Sequence, residues 1–171
     1  LTLTLTLTLT LTLTLSNTKR LNKTQADSKR LTQTQTKTPM IQVIKEGILL
    51  QKTDTDFENE GVLNPAAIRD GNQVHLLYRA VQKGNRSSIG YCLLNGPLFI
   101  EKRNHTPLLA PEFDYESQGL EDPRLVKIDD TYYLTYTAYD GINALGCLAT
   151  SKDLIRFEKK GIIVPQITYE E

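Results

Sequence analysis

The run Asn64-Pro65-Ala66-Ala67-Ile68 returns 58 residues later as Asp122-Pro123-Arg124-Leu125-Val126. Held without a gap, this offset also superposes Leu76 on Leu134, Tyr78 on Tyr136 and Ala80 on Ala138. Ile89-Gly90 then meets Leu145-Gly146 at an offset of 56, and Pro107-Leu108-Leu109-Ala110-Pro111 meets Gly161-Ile162-Ile163-Val164-Pro165 at 54. The shrinking offset implies shorter loops in the second copy. Self-similarity at a fixed period is the mark of an array of like supersecondary units.

Within each copy the texture is that of short strands separated by turn residues, with no sustained helical period. The strands expected are Ile48–Gln51, Ala66–Arg69, Gln73–Val81, Ser88–Leu94, Leu98–Lys102, Arg124–Ile128, Thr131–Tyr139 and Ala144–Thr150. Asp70-Gly71-Asn72 and Asp129-Asp130 fall between pairs of these runs, where a tight hairpin needs residues that tolerate positive φ. Four short strands with their own hairpins make one propeller blade. Such a blade cannot bury both faces by itself, and Val74-His75-Leu76-Leu77-Tyr78 and Tyr132-Tyr133-Leu134-Thr135-Tyr136 are apolar on both sides, so neighbouring blades must cover them. The expected fold is all-β, a β-propeller. Two copies run from about Asn64 to Ile167, and closure needs at least ~4 blades, so about the first two are expected here.

Composition divides the chain of 171 residues. Residues 1–39 carry a net charge of +5 and no aromatic side chain, whereas all eight Tyr and all four Phe lie after residue 40. Residues 1–15 are a strict Leu-Thr repeat, and 16–39 are a polar tract rich in Thr, Gln and Lys. A single strand of that length would extend ~50 Å, well past usual strand lengths. The expectation is a translated repeat followed by a disordered tether, with the native start at Met40 and the propeller domain over 40–171.

No basic patch interleaved with aromatics points to nucleic acid, and no apolar run approaches a membrane span. The two cysteines, Cys92 and Cys147, are too few for a disulfide framework or a zinc site, which fits a reducing, cytoplasmic setting. No metal-ligand spacing or phosphate-cradling glycine loop occurs. His75 and Cys92 both fall in expected strands and read as core residues rather than a catalytic pair.

Each copy opens with a polar residue and a proline before the innermost strand. In a propeller that strand lines the central channel, so Asn64 and Asp122 are expected to be neighbours at one mouth, where convergent polar groups make a ligand site. Asp122 stands in Gly119-Leu120-Glu121-Asp122-Pro123-Arg124. A carboxyl partly desolvated by a sugar can hold its proton long enough to give it to a leaving oxygen. Arg124 would oppose this if it pointed at the same group. A surface turn capped by Glu121 and Asp122 fits the spacing as well.

Asn64-Pro65-Ala66-Ala67-Ile68, Leu77-Tyr78-Arg79-Ala80 and Ser88-Ile89-Gly90-Tyr91 resemble the first blade of glycoside hydrolase family 130, the mannoside phosphorylases. Tyr115-Glu116-Ser117-Gln118-Gly119-Leu120-Glu121-Asp122-Pro123-Arg124, then Tyr133 to Gly141, then Ala149-Thr150-Ser151-Lys152-Asp153-Leu154, resemble the second. The likeness covers roughly residues 45–165. It implies a five-bladed propeller that cleaves β-mannoside oligosaccharides by phosphorolysis with inversion, giving α-mannose 1-phosphate. Asp122 matches the catalytic acid, and inorganic phosphate is the co-substrate, so no cofactor or second carboxylate base is implied. Asn64 and Arg79 match positions that hold the mannosyl unit, although a turn-capping Asn and a salt-bridged strand Arg remain open for them. Tyr115 and Asp140 are further candidates to border the pocket, with a hairpin turn as the alternative at 139–141. The phosphate-binding residues are expected beyond Glu171, which leaves the chain alone expected to be inactive and poorly folded. A β-mannoside hydrolase or related five-bladed glycosidase, a non-catalytic carbohydrate-binding propeller, and assembly as a homo-oligomer all stay open.

Overall fold

The computed structural model describes residues 44–164. The Leu-Thr repeat, the polar tract and Met40 lie outside that range, as do Pro165 and Ile167. Eight strands follow one another: β1 (Gly61–Asp70), β2 (Gln73–Gln82), β3 (Arg86–Asn95), β4 (Phe99–Arg103), β5 (Gly119–Ile128), β6 (Thr131–Tyr139), β7 (Ala144–Ser151) and β8 (Glu158–Val164). A single 3-10 turn precedes each set of four, at Asp56–Glu58 and Asp114–Glu116.

Strands β1 to β4 form one antiparallel meander and β5 to β8 another. These are the two blades expected from the repeat. Positive φ at Gly71 (58°) and Asp129 (51°) makes the two first hairpins, as their turn residues predict. The blades meet at one parallel bridge, Ser87 to Gly119, where the Ser87 N–H donates to the Gln118 carbonyl at 3.2 Å. Gly119 has φ of 145°, and a Cβ there would lie 2.6 Å from the Ser87 nitrogen. Only glycine lets the second blade approach the first this closely.

Alternation along the strands sorts the core into two layers. Leu77, Ile89, Tyr91 and Ala66 of the first blade pack against Leu120, Leu134, Tyr136, Ala138, Cys147 and Ala149 of the second. The other face of the first blade, Leu76, Tyr78, Ala80, Cys92 and Leu94, packs under Leu50 and Phe57 from the preceding segment. The apolar character on both sides of β2 therefore has a physical reason. One face meets the next blade and the other meets the leading segment.

Three details differ from the sequence reading. Ile48–Gln51 is not a strand; this stretch lies over the first blade through Leu50 without pairing. Strand β8 lies outside the expected runs, because Glu158-Lys159-Lys160-Gly161 lacks an apolar pattern. Register also corrects the third-strand alignment: Tyr78 faces Gly90 and Tyr136 faces Cys147, so the offset there is 57 rather than 56.

The repeat also starts earlier than Asn64. Carried back at the same offset, Asp56-Phe57-Glu58 falls on Asp114-Tyr115-Glu116. Both glutamates are buried and serve one purpose. Glu58 accepts from the Tyr78 hydroxyl at 2.8 Å and from Arg103 at 2.9 Å. Glu116 accepts from the Tyr136 hydroxyl at 2.8 Å and from Lys159 at 2.6 Å. A buried carboxylate is tolerated when paired and hydrogen-bonded in this way. Each triad ties the leading 3-10 turn to the second and fourth strands of its blade.

Candidate active site

Asn64 and Asp122 do not stand before the innermost strands, as expected, but inside them. The β1–β2 register shifts between Leu63 and Ala66, and the β5–β6 register shifts between Glu121 and Arg124. Two residues, Asn64-Pro65 or Asp122-Pro123, thus oppose one, Tyr78 or Tyr136. This is a β-bulge, and proline suits it because no ladder donor is needed there. Asn64 has φ of 47° and Asp122 of 48°. A left-handed residue ahead of proline is doubly disfavoured, and Asn and Asp are among the residues that accept the left-handed region best. Its appearance at both equivalent positions marks local strain of the kind held at functional sites.

The bulges turn these side chains toward each other. Asn64 Nδ2 donates to Asp122 Oδ1 at 2.6 Å, joining the blades across 58 residues of sequence. Arg79 on β2 completes the cluster. Its Nε donates to Ser87 Oγ at 2.9 Å, its Nη2 donates to Glu121 Oε1 at 2.6 Å, and its Nη1 lies 3.9 Å from Asp122 Oδ1. The last distance is an ion-pair approach rather than a hydrogen bond. Arg124, the cation that the sequence placed beside Asp122, turns away and donates to the Pro123 carbonyl at 2.8 Å. The Asp122 side chain is 42% exposed while Arg79 and Glu121 are mostly buried. One carboxylate is presented to solvent on a fixed polar floor.

Tyr115 and Asp140 sit differently. Tyr115 packs against the inter-blade core and stacks on Phe113, with ring centroids 5.2 Å apart. Burial, with help from Glu116, pushes its phenol above the usual range. Asp140 accepts from the Ile142 and Asn143 amides at 2.8 and 2.6 Å and from the Asn143 side chain at 3.0 Å. Those bonds, the Asn143 side chain first, lower its carboxyl. Among the described residues neither side chain makes a hydrogen bond to Asn64, Arg79 or Asp122.

Sequence reasoning missed Glu121 as a partner of Arg79. The signal was present in the repeat, since Glu121 falls on Leu63 and Thr137 on Arg79. The two copies differ in charge just where they face one another. A cavity of about 500 Å³ lies at the β7–β8 connection of the second blade, lined by Lys152, Arg156, Phe157 and Lys160. Its cations are already engaged, by Thr131, Asp153 and Glu158 respectively for the three basic side chains. Among the described residues no cluster of three His, Cys, Asp or Glu could hold a metal, and no helix is long and apolar enough to cross a membrane.

The family model of glycoside hydrolase family 130, described as beta-1,4-mannooligosaccharide phosphorylase, matches residues 30–171. The chain is 36% identical over 130 residues to a 1,2-beta-oligomannan phosphorylase of Thermoanaerobacter sp. (strain X514), covering 70% of this chain and 43% of that protein. A beta-1,2-mannobiose phosphorylase of the same organism is 34% identical over 144 residues, covering 75% of this chain and 45% of that protein. The chain therefore spans less than half the length of these curated relatives. A glycosyl hydrolase from Bacteroides ovatus superposes with a TM-score of 0.59 at 25% identity, covering 67% of this chain and 38% of that one.

Proposed function

Because the chain belongs to glycoside hydrolase family 130, we propose that it carries the acid half of a β-mannoside phosphorylase site. Asp122 is the general acid. The bond from the mannosyl C1 to the glycosidic oxygen breaks, and the Asp122 proton goes to that oxygen. Inorganic phosphate attacks C1 from the opposite face, giving α-mannose 1-phosphate with inversion. Phosphate is itself the nucleophile, so a single protein carboxyl is chemically sufficient, unlike the acid and base pair of an inverting hydrolase.

The observation that carries this reading is the Asn64–Asp122 hydrogen bond across the blade joint. It fixes the carboxylate while leaving it exposed to a substrate. Asn64 can donate and accept to vicinal hydroxyls, and Arg79 offers a rigid fork of donors for the same mannosyl unit. Asp140, its carboxylate held by its own turn, is better placed to shape the β6–β7 loop than to grip a sugar. The side chains that hold phosphate belong, on this reading, outside residues 44–164, in further blades of the protein. The β-1,2 linkage is the first to assay, since both curated relatives are named for it.

Hydrolysis is a second reading, favoured by the likeness to the Bacteroides ovatus glycosyl hydrolase. Water would then need a carboxylate base from another blade. Incubating the full-length protein with β-1,2- and β-1,4-mannobiose, with and without phosphate, separates the readings. Phosphate-dependent mannose 1-phosphate supports phosphorolysis. Phosphate-independent release of mannose supports hydrolysis, and sugar binding without turnover supports a non-catalytic binding propeller.

A further inference from the structure

Arg79 stands beside the proposed acid, and a guanidinium free to close on Asp122 would hold that carboxyl ionised, which is the wrong state for giving a proton. The side chain is not free. Nε is committed to Ser87 Oγ at 2.9 Å and Nη2 to Glu121 Oε1 at 2.6 Å. Nη1 is left 3.9 Å from Asp122 Oδ1, outside hydrogen-bond reach. The Arg79 and Glu121 side chains are only 16% and 19% exposed, so water screens their attraction weakly.

The repeat shows that this arrangement is not required by the blade. At the position of Glu121 the first blade has Leu63, and at the position of Arg79 the second blade has Thr137. Leu63 pairs with Arg79 across β1–β2, and Glu121 pairs with Thr137 across β5–β6, so both strand positions fold without a charge pair of their own. The ion pair forms only between blades, next to Asp122.

We propose that Glu121 is a positioning residue for the acid step: its carboxylate draws the Arg79 guanidinium aside and offsets its charge, so that Arg79 can meet the sugar without closing on Asp122. This rests on the reading of Asp122 as general acid. Among the described residues Arg79 is the charged group within ion-pair distance of Asp122 on another strand. Glu121 and Arg124 are the charged groups nearby on its own strand, and Arg124 is turned to the Pro123 carbonyl. Asn64 from β1 and Ser87 from β3 face the cluster without charge.

The test compares Glu121→Gln, Glu121→Asp and Asp122→Asn in the full-length protein, using β-1,2-mannobiose with phosphate. Glu121→Gln keeps the shape and removes the charge. Its alkaline limb of the pH–rate profile should move to lower pH by about one unit, the scale of one uncompensated charge at this range. Its kcat should fall by about tenfold at neutral pH while KM changes less. Glu121→Asp keeps the charge, and its limb should return toward that of the wild type whatever its rate. A Glu121→Gln profile that overlays the wild type overturns the proposal. So does loss of folded protein in both Glu121 variants, which would make the side chain a support of the fold. If Asp122→Asn turns over near the wild-type rate, the acid reading itself fails and this inference fails with it. If Asp122→Asn is inactive and Glu121→Gln overlays the wild type, the inference alone fails.

Discussion

Asn64 and Asp122 occupy the same position in two copies of one repeat, adopt the same left-handed backbone, and meet in a 2.6 Å hydrogen bond. Chain symmetry places them side by side, and chemistry then divides their labour. On the proposed function the amide holds and the carboxyl gives up its proton.

The blade joint depends on a missing side chain at Gly119. Gly119→Ala should destabilise the protein by about 1–3 kcal/mol, the scale of a forced overpacking, because Cβ would press on the Ser87 backbone. Gly61→Ala is the matched control, since a Cβ there would meet a Leu63 methyl at 3.9 Å. Denaturant unfolding of the two variants should separate them, and equal losses would contradict the assigned role of Gly119.

Lys159 is the cation of the second buried triad, with its side chain 7% exposed and that of Glu116 fully buried. Lys159→Met should cost about 3–5 kcal/mol by leaving a carboxylate unpaired. Adding Glu116→Gln to it should restore much of that loss. The double-mutant cycle therefore predicts a strongly non-additive result, and additivity would show that the two side chains are energetically separate.

His75 gives stability a pH dependence. Burial lowers its ring below the ordinary value of 6.5, with Asp70 opposing more weakly, and Nδ1 lies 2.8 Å from the Tyr91 hydroxyl. The unfolded chain therefore takes up a proton at a higher pH than the folded one does. Stability contributed by neutral His75 should be intact above pH 6.5 and decline as pH falls below it, ceasing to change once the folded ring is protonated. His75→Gln should flatten that part of the curve, measured by urea midpoints across the range. An unchanged slope would contradict it.

Much of this architecture could be read from residues. The Asn-Pro and Asp-Pro pair identified the innermost strands because an X-Pro step at a fixed offset has few structural uses. Tyr78 and Tyr136 superpose at the same offset and lie in the second strands. What escaped was of two kinds. The glutamates Glu58 and Glu116 look like ordinary acids of a loop, and only the fold shows that each is drawn under its blade by a tyrosine and a cation. Glu121 escaped for the opposite reason. A repeat is found by what its copies share, whereas contacts between blades join positions that are not equivalent, so Glu121 and Arg79 are visible only where the copies differ.

The most direct measurement is the turnover of the full-length Asp122→Asn variant with phosphate, on β-1,2-mannobiose and on a nitrophenyl β-mannoside. A general acid predicts a loss of ~10²-fold or more on the disaccharide, with a much smaller loss on the nitrophenyl substrate, whose leaving group departs without a proton. Near-wild-type turnover of the disaccharide, or equal losses on both substrates, would contradict the assignment of Asp122 as the acid.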